Sequence, residues 1–355
     1  MHYRTILLLS WIPWAASSAM AQSPRIVLET NGSTTVHTDL ASALSAAQAN
    51  DVLYLSGGDF IVAGPLVFDK PLHLVGAGIH PDSSGVTAAT TVGTSGSPSN
   101  GIQLTTGASG STFTGIIFSP SSSGATMYFG TSDVDDDPTG LVFQRCEFKR
   151  GFYMGYAEGA KGSGTFDGCV FRAGGNQFAG RGSRAVVTRC IFDNCGINIF
   201  RPSGLFLKNC VILNQGLTNS ENAVVQNCVF TNATAPLWQV SGVQISNCLL
   251  TSPTMFSNSS YSSETNNIYG VAAATIFMDE ADNVYQYSDD LQLAPSSGGL
   301  GAGNDGTDIG IYGTNAPAKT GAMPYNPHYQ QAAIDPATNT NGELPVQIRT
   351  AAQSY

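Results

Sequence analysis

The chain has 355 residues, and only 11% of them are charged, against about 25% in an ordinary globular domain. Hydrophobic residues make up 42% of the chain, so it can bury a large core, and this composition argues against intrinsic disorder. The formal net charge of −10 argues against nucleic acid as a partner of the whole molecule, because phosphate binding needs a basic surface.

The first 21 residues have the pattern of a secretory signal peptide. Arg4 lies in a short basic start, an apolar run extends from Ile6 to Trp14, and Ala19 and Ala21 supply the small residues of a signal-peptidase site. The run is too short to span a bilayer, and no later segment reaches the roughly 20 apolar residues of a membrane helix. We therefore expect a secreted protein, extracellular, periplasmic or on the cell surface, without membrane insertion.

A short helix and two extended segments come next. Residues 40–49 predict an amphipathic helix with Asp39 as its N-cap. Residues 51–60 and 66–76 have the alternation and the turn residues of β-strands. We expect the helix to close the N-terminal end of the structure that the following repeats form.

A short sequence motif occurs six times. In five copies a cysteine is followed by two apolar residues, and in the first copy it is followed by one acidic and one apolar residue. The repeated cysteines are Cys146, Cys169, Cys190, Cys210, Cys228 and Cys248. By subtraction their spacings are 23, 21, 20, 18 and 20 residues, which suits one coil of a parallel β-solenoid and not a helical repeat of ~34 to 45 residues. Apolar residues lie three before and two after each cysteine, so the alternation slips by one residue, and we expect a bend or bulge there.

Residues 70–78 read KPLHLVGAG, and with the preceding helix and strands they resemble the N-terminal cap of right-handed parallel β-helix proteins of the pectate-lyase-like superfamily. The likeness covers roughly residues 36–312. It implies an all-β fold, a single-stranded right-handed parallel β-helix (solenoid) with a short N-terminal capping helix. The expected organisation is a signal peptide at 1–21, a β-helix domain at 22–315 and an extended C-terminal tail at 316–355. The resemblance does not define an activity, because the superfamily holds lyases, hydrolases, epimerases and non-enzymatic surface proteins.

Seven cysteines in an exported protein first suggest disulfides. On a solenoid, however, equivalent residues stack ~4.8 Å apart with parallel Cα–Cβ bonds, whereas a disulfide needs Cβ atoms ~3.8 Å apart that face each other. We therefore expect the six repeated thiols to form a buried column, since zinc also needs converging ligands. Cys195 lies outside this column, and a bond from it to a neighbouring cysteine stays open.

The glycine-rich segment 298–313 resembles the closing segment of secreted β-helix proteins. Its carboxylates, Asp305 and Asp308, fit either a calcium-binding turn or a tight turn in which both side chains are hydrogen-bonded. Five prolines mark the tail after residue 316 as extended, with 344–349 as a candidate last strand.

Basic residues concentrate in the middle of the chain. Between residues 141 and 208 there are ten basic and four acidic residues, a net charge of +6. On a solenoid these residues occupy about three coils, a band ~15 Å high that suits an anionic chain such as a uronic-acid polysaccharide. The alternative is that the cations lie on different faces and pair with carboxylates. The predicted substrate-binding residues are Arg150, Arg181, Arg184 and Arg201.

An acidic loop precedes this band. Its carboxylates are the predicted metal ligands, because hard oxygen ligands suit a Ca²⁺ ion that bridges to a substrate carboxylate. The alternative is a loop that is solvated or paired with neighbouring arginines. The four residues are Asp133, Asp135, Asp136 and Asp137.

The position three residues after each cysteine supplies the predicted catalytic residues, Lys149, Arg172 and Asp193, as vertical neighbours on successive coils. A uronate lyase needs a base and a group that neutralises the substrate carboxylate, and the resemblance implies that Arg or Lys is the base. The alternative is an ion-pair ladder at the surface. A hydrolase needs two carboxylates that face one sugar, and the acidic residues here lie in different columns, so lyase chemistry is preferred.

Together these features predict a secreted β-helix protein that binds an acidic, uronate-containing polysaccharide, and they leave cleavage open. The alternative is a non-catalytic cell-surface or adhesion β-solenoid, which the lack of any recognisable catalytic motif favours.

Overall fold

The computed structural model describes residues 24–81, 88–96, 101–120, 127–132, 135–172, 177–260, 262–280, 282–318, 328–334, 338 and 341–351. The predicted signal peptide and Asp133 lie outside these residues. Within them the chain coils repeatedly, and each full coil contributes one strand to each of three long sheets. The structure is an all-β parallel β-helix, as the cysteine repeat predicts.

The first sheet has twelve strands, and only its first pairings are antiparallel. In spatial order the strands are Ser33–His37, Ile26–Thr30, Val52–Leu55, His73–Val75, Thr112–Thr114, Leu141–Gln144, Ser163–Asp167, Arg184–Thr188, Leu205–Lys208, Val224–Gln226, Gln244–Ser246 and Ser263–Thr265.

The second and third sheets have nine parallel strands each. The second sheet consists of Gly58–Ala63, Thr90–Ser95, Ile117–Pro120, Glu147–Phe148, Val170–Arg172, Ile191–Asp193, Val211–Leu213, Val229–Phe230 and Leu249–Leu250. The third sheet consists of Leu66–Phe68, Ile102–Leu104, Met127–Phe129, Phe152–Tyr153, Gln177–Ala179, Gly196–Asn198, Leu217–Thr218, Leu237–Trp238 and Phe256–Ser257.

Few elements lie outside the three sheets. Two antiparallel hairpins pair Phe277–Asp279 with Asp290–Leu293, and His328–Ile334 with Val346–Ala351. Thr106–Ala108 and Ala273–Thr275 are single 3-10 turns. The second hairpin contains the strand expected near 344–349, but the sequence did not reveal its partner.

The N-terminal helix spans Leu40–Ala46 and is three residues shorter than expected. Asp39 is its N-cap, as predicted, and accepts hydrogen bonds from the backbone N–H groups of Ala41 at 3.3 Å and Ser42 at 2.7 Å. The Ser42 hydrogen bonds hold the pKa of Asp39 below its ordinary value. The helix ends because Ala47 adopts an extended conformation.

Stacked phenylalanines fill the middle of the solenoid. Phe113, Phe143 and Phe166 lie two residues before the left-handed turn residue on successive coils, and their rings stack 5.0 Å apart. This parallel register is the one that the repeat predicts, with Phe143 paired to Phe166. Like side chains therefore bury one another from coil to coil.

The bend expected near each cysteine lies at the residue just before it. These residues have positive φ values: Arg145 51°, Gly168 61°, Arg189 54°, Asn209 53°, Asn227 54° and Asn247 53°. Asparagine and glycine tolerate this left-handed conformation better than other residues, which explains four of the six identities. The left-handed residue turns the chain from the first sheet into the second and causes the one-residue slip.

The six repeated thiols form the buried column that the sequence predicts. All seven cysteines are free and buried, including Cys195. The backbone N–H of Cys169 donates to Sγ of Cys190 at 3.3 Å, and Cys228 donates to Cys248 at the same distance. Burial raises the pKa of the thiols of Cys146, Cys190, Cys210 and Cys228 well above the ordinary value, so these four thiols stay protonated.

We expect the native protein to resist alkylation at all seven cysteines, and the denatured protein to react at all seven without a reductant. Mass spectrometry after iodoacetamide treatment in buffer and in guanidinium measures both states. Disulfide-linked peptides among the repeated cysteines would contradict this register.

The chain after the last coil returns along the outer face of the second sheet. We call residues 268–316 the strap. Its apolar side chains, including Phe277, Ile309 and Ile311, form a second buried cluster with outward-facing residues of the second sheet. The strap is also tied to the turns, because Nδ2 of Asn209 donates to the carbonyl of Gly310 at 3.0 Å. The segment 298–313 therefore lies along the side of the solenoid.

Candidate functional site

The predicted catalytic residues lie next to one another on the outer face of the second sheet. Arg172 pairs in register with Asp193, and Lys149 follows directly after the pair of Phe148 and Phe171. The vertical arrangement is therefore as predicted.

The structure adds Glu147, an acidic residue for which the sequence pattern predicts no role. Its carboxylate is fully buried and accepts hydrogen bonds from Nε of Arg172 at 2.7 Å and Oη of Tyr287 at 2.5 Å, and it forms an ion pair with Nζ of Lys149 at 2.7 Å. Nη1 of Arg172 also contacts Oδ2 of Asp193 at 2.7 Å. We call these five residues the ionic cluster.

The strap covers the Arg172 guanidinium. The ring centroids of Tyr285 and Tyr287 lie 5.1 and 5.5 Å from it, and the Tyr285 carbonyl accepts a hydrogen bond from Nη1. The His80 ring packs edge-on against Tyr287, with their centroids 4.9 Å apart. The Arg172 side chain is left only 20% exposed.

Burial and charge act in opposite directions on Arg172. Burial alone lowers its pKa, but the carboxylates of Glu147 and Asp193 outweigh burial and raise the pKa above its ordinary value. An arginine that acts as a base needs the opposite shift. Tyr287 is not ionised either, because burial first and the Glu147 charge second raise its pKa. The geometry thus favours the ion-pair alternative, and the catalytic role of Lys149, Arg172 and Asp193 stays a prediction.

A sequence signal for this covered face exists in the position directly after each cysteine. Side chains alternate along a strand, and the residue two after each cysteine points into the core. The residue one after each cysteine therefore points outward, yet it is apolar in every repeat except the first. The column comprises Glu147, Val170, Ile191, Val211, Val229 and Leu249. An apolar outer column predicts a covering segment, and the lone carboxylate in it marks a buried ion pair.

The described aspartates of the acidic loop are each paired with a group of Thr131 or Lys161. Asp136 accepts from the backbone N–H and the hydroxyl of Thr131, Asp135 forms an ion pair with Lys161, and Asp137 accepts the Lys161 N–H at 3.2 Å. Burial raises the pKa of Asp137. Within the described ranges no three acidic, histidine or cysteine side chains lie close enough to hold a metal ion. Calcium binding by Asp133, Asp135, Asp136 and Asp137 stays a prediction, and Asp133 lies outside the described residues.

Both aspartates of the strap turn are also hydrogen-bonded within the protein. Asp305 accepts from the hydroxyl of Thr307 at 2.6 Å and lies 3.4 Å from Nζ of Lys208. Oδ1 of Asp308 accepts from the N–H of Gly301 at 2.8 Å. This is the tight-turn alternative.

The basic band does not form a single surface. Several of its cations lie on different faces and pair with carboxylates, which is the alternative to an anion-binding band that the sequence left open. The paired cations include Lys149, Lys161, Arg172, Arg189 and Lys208.

Three of the four predicted substrate-binding arginines lie near the corner between the third and first sheets, and Arg150 follows the second sheet. The Arg181 guanidinium lies 4.2 Å from the centroid of the Tyr153 ring and donates to the Tyr156 carbonyl. Among the residues that the structure describes, Arg184 and Arg201 have no carboxylate partner.

A groove runs along the outer face of the first sheet from this corner. Its volume is about 740 Å³, and Arg184, Ser203 and Gly204 lie at its edge. Its floor is one outward column in direct register, so it follows the solenoid axis. The column comprises Thr165, Val186, Phe206, Val224 and Gln244.

The comparison with known families agrees with this architecture. Residues 100–276 match the family described as the right handed beta helix region. The chain is therefore a parallel β-helix protein. A search of curated proteins found no match. Among the described residues, no helix has the length and apolar character needed to cross a bilayer.

Proposed function

We propose that the protein binds an acidic polysaccharide in an extended conformation along the groove of the first sheet. The groove crosses five adjacent strands, a distance of ~19 Å at the usual strand spacing. Its walls combine hydroxyl, amide and apolar side chains, the mixture that sugar rings contact. This activity accords with membership in the pectate-lyase-like superfamily, which is part of the proposal.

The observation that carries the proposal is the state of the corner arginines. Five of the ten central cations contact carboxylates, whereas Arg184 and Arg201 have no carboxylate partner within the part of the chain that the structure describes. Arg184 lines the groove, and Cγ of Arg201 lies against Gly204, another lining residue. An anionic sugar in the groove would thus meet positive charge locally, although the chain as a whole is negative.

Replacing Arg184 or Arg201 by alanine should weaken retention on polygalacturonate or alginate by roughly five- to tenfold at low salt, or about 1 kcal/mol. Raised salt should reduce binding by the native protein in the same way, because these charges are exposed to solvent. Affinity electrophoresis in gels with and without the polymer measures the retention.

Arg25→Ala is the matched control, because Arg25 is an exposed cation at the N-terminal end, away from the groove. It should leave retention unchanged. Equal weakening by all three variants would indicate an effect of net charge and would refute the site.

A non-catalytic binding protein is the second candidate, and the enclosed ionic cluster favours it. A base must reach the proton of a substrate, whereas the strap covers Arg172 and Glu147 engages Lys149. If the protein is retained on uronate polymers but releases no unsaturated product that absorbs ultraviolet light, the result supports binding without cleavage. We also propose that the protein is secreted, on the basis of residues 1–21.

A further inference from the structure

We infer a second carbohydrate site on the outer face of the third sheet, around Trp238, that takes neutral sugars. It lies on a different sheet from the proposed acidic-polysaccharide groove and does not depend on it. Among the residues that the structure describes, no charged side chain lines this site.

The register places Trp238 in an outward column with Thr218 on one neighbouring strand and Ser257 on the other. Leu237, the preceding residue, is fully buried, whereas Trp238 is 41% exposed. A large aromatic side chain therefore faces solvent between the hydroxyl residues of the two neighbouring strands, each ~4.8 Å away at the usual strand spacing. Such a surface offers a sugar ring an apolar platform with polar groups at both edges.

A groove of about 340 Å³ lies beside this tryptophan, and Gln215, Asn232 and Thr234 contribute to its wall. Its backbone is closely packed, because a Cβ on Gly216 would lie only 1.7 Å from the carbonyl oxygen of Pro236. The groove is therefore a preformed feature of the coil.

Asn232 is held in place by its neighbours. Its Oδ1 accepts from the N–H and the hydroxyl of Thr234, both at 3.1 Å, and its carbonyl accepts from Thr251 at 2.8 Å. Among the described residues its Nδ2 has no partner, and the same holds for Nε1 of Trp238. Fixed donors beside an exposed indole suit the hydroxyls of a neutral pyranose. A uronate carboxylate would meet no cation here.

Trp238 is also its own reporter. The other two tryptophans, Trp11 and Trp14, precede the predicted cleavage site, so a chain that begins at Gln22 has one tryptophan. Titration of that chain with cellohexaose and with mannohexaose should give a saturable change in tryptophan fluorescence with at least one of them. Asn232→Ala keeps Trp238 as the fluorescent reporter. It should weaken the binding about tenfold, which corresponds to the loss of one hydrogen bond between neutral groups.

Trp238→Ala should abolish the heat of binding in calorimetry. Val67→Ala, another exposed apolar residue on the outer face of the same sheet, should bind as the native protein does. Absence of a fluorescence change with both neutral sugars, a change with hexagalacturonate only, or unaltered calorimetry for Trp238→Ala would each overturn the inference. Retention on uronate polymers through Arg184 is measured separately, so either proposal can fail alone.

Discussion

Replacement of Arg172 by alanine is expected to lower the free energy of unfolding by about 3–5 kcal/mol. The carboxylate of Glu147 is fully buried, and Arg172 supplies one of its two cationic partners. Without the guanidinium, Asp193 also loses its partner, and the strap loses the contacts of Tyr285 and Tyr287. Urea unfolding followed by circular dichroism measures the loss.

Lys149→Ala is the matched control. Lys149 contacts the same carboxylate oxygen, but its side chain is 42% exposed, so its removal should change stability by about 1 kcal/mol or less. This pair also separates the two interpretations of the column. A stable Arg172→Ala protein with lost turnover on a uronate polymer would support catalysis, whereas a destabilised one would support the ion-pair role.

Phe166→Ala should destabilise the protein by about 3–5 kcal/mol through a cavity in the centre of the solenoid. The Phe166 ring stacks on Phe143 at 5.0 Å and packs edge-on against Phe152 and Phe178 at 5.2 and 5.1 Å. Close packing on three sides leaves little freedom for the neighbours to fill the space. Denaturant unfolding of the two proteins measures the difference in the free energy of unfolding, provided that this free energy depends on denaturant concentration with the same slope in both.

Val186→Ala, on the next strand, tests whether the loss of stability depends on the side chain pointing into the solenoid. Val186 is 43% exposed on the outer face of the same sheet, so its truncation should change stability by about 0.5 kcal/mol or less. A Phe166→Ala protein as stable as Val186→Ala would contradict the inward register.

The solenoid was predictable because its information is local and repeated. Each copy of the cysteine motif carries the inward positions, the turn and the spacing of one coil, so the six copies together predict the register between coils. The pairing of Phe143 with Phe166 and the stacking of the cysteines follow from that spacing.

The ionic cluster depends on a contact that no repeat encodes. Tyr287 meets Glu147 across 140 residues, and only the path of the strap brings them together. The sequence predicted the column of Lys149, Arg172 and Asp193 correctly, because it follows from coil spacing. It did not predict that the column is covered, because covering depends on where a non-repeating segment folds back. The same holds for the corner arginines Arg184 and Arg201, because tertiary position decides which cations lie within reach of a carboxylate.

The strap changes how this solenoid should come apart. In a simple repeat array each coil contacts only its neighbours, so terminal coils can fray one at a time. Here the strap bonds to Asn247, Asn227 and Asn209 on three successive coils, and its carbonyl at Ala316 accepts from Arg189 on a fourth. Fraying of the last coil therefore requires breaking contacts several coils away. A one-dimensional array becomes a single cooperative unit, with its C-terminal coils resistant to stepwise unwinding and to proteases that attack frayed ends.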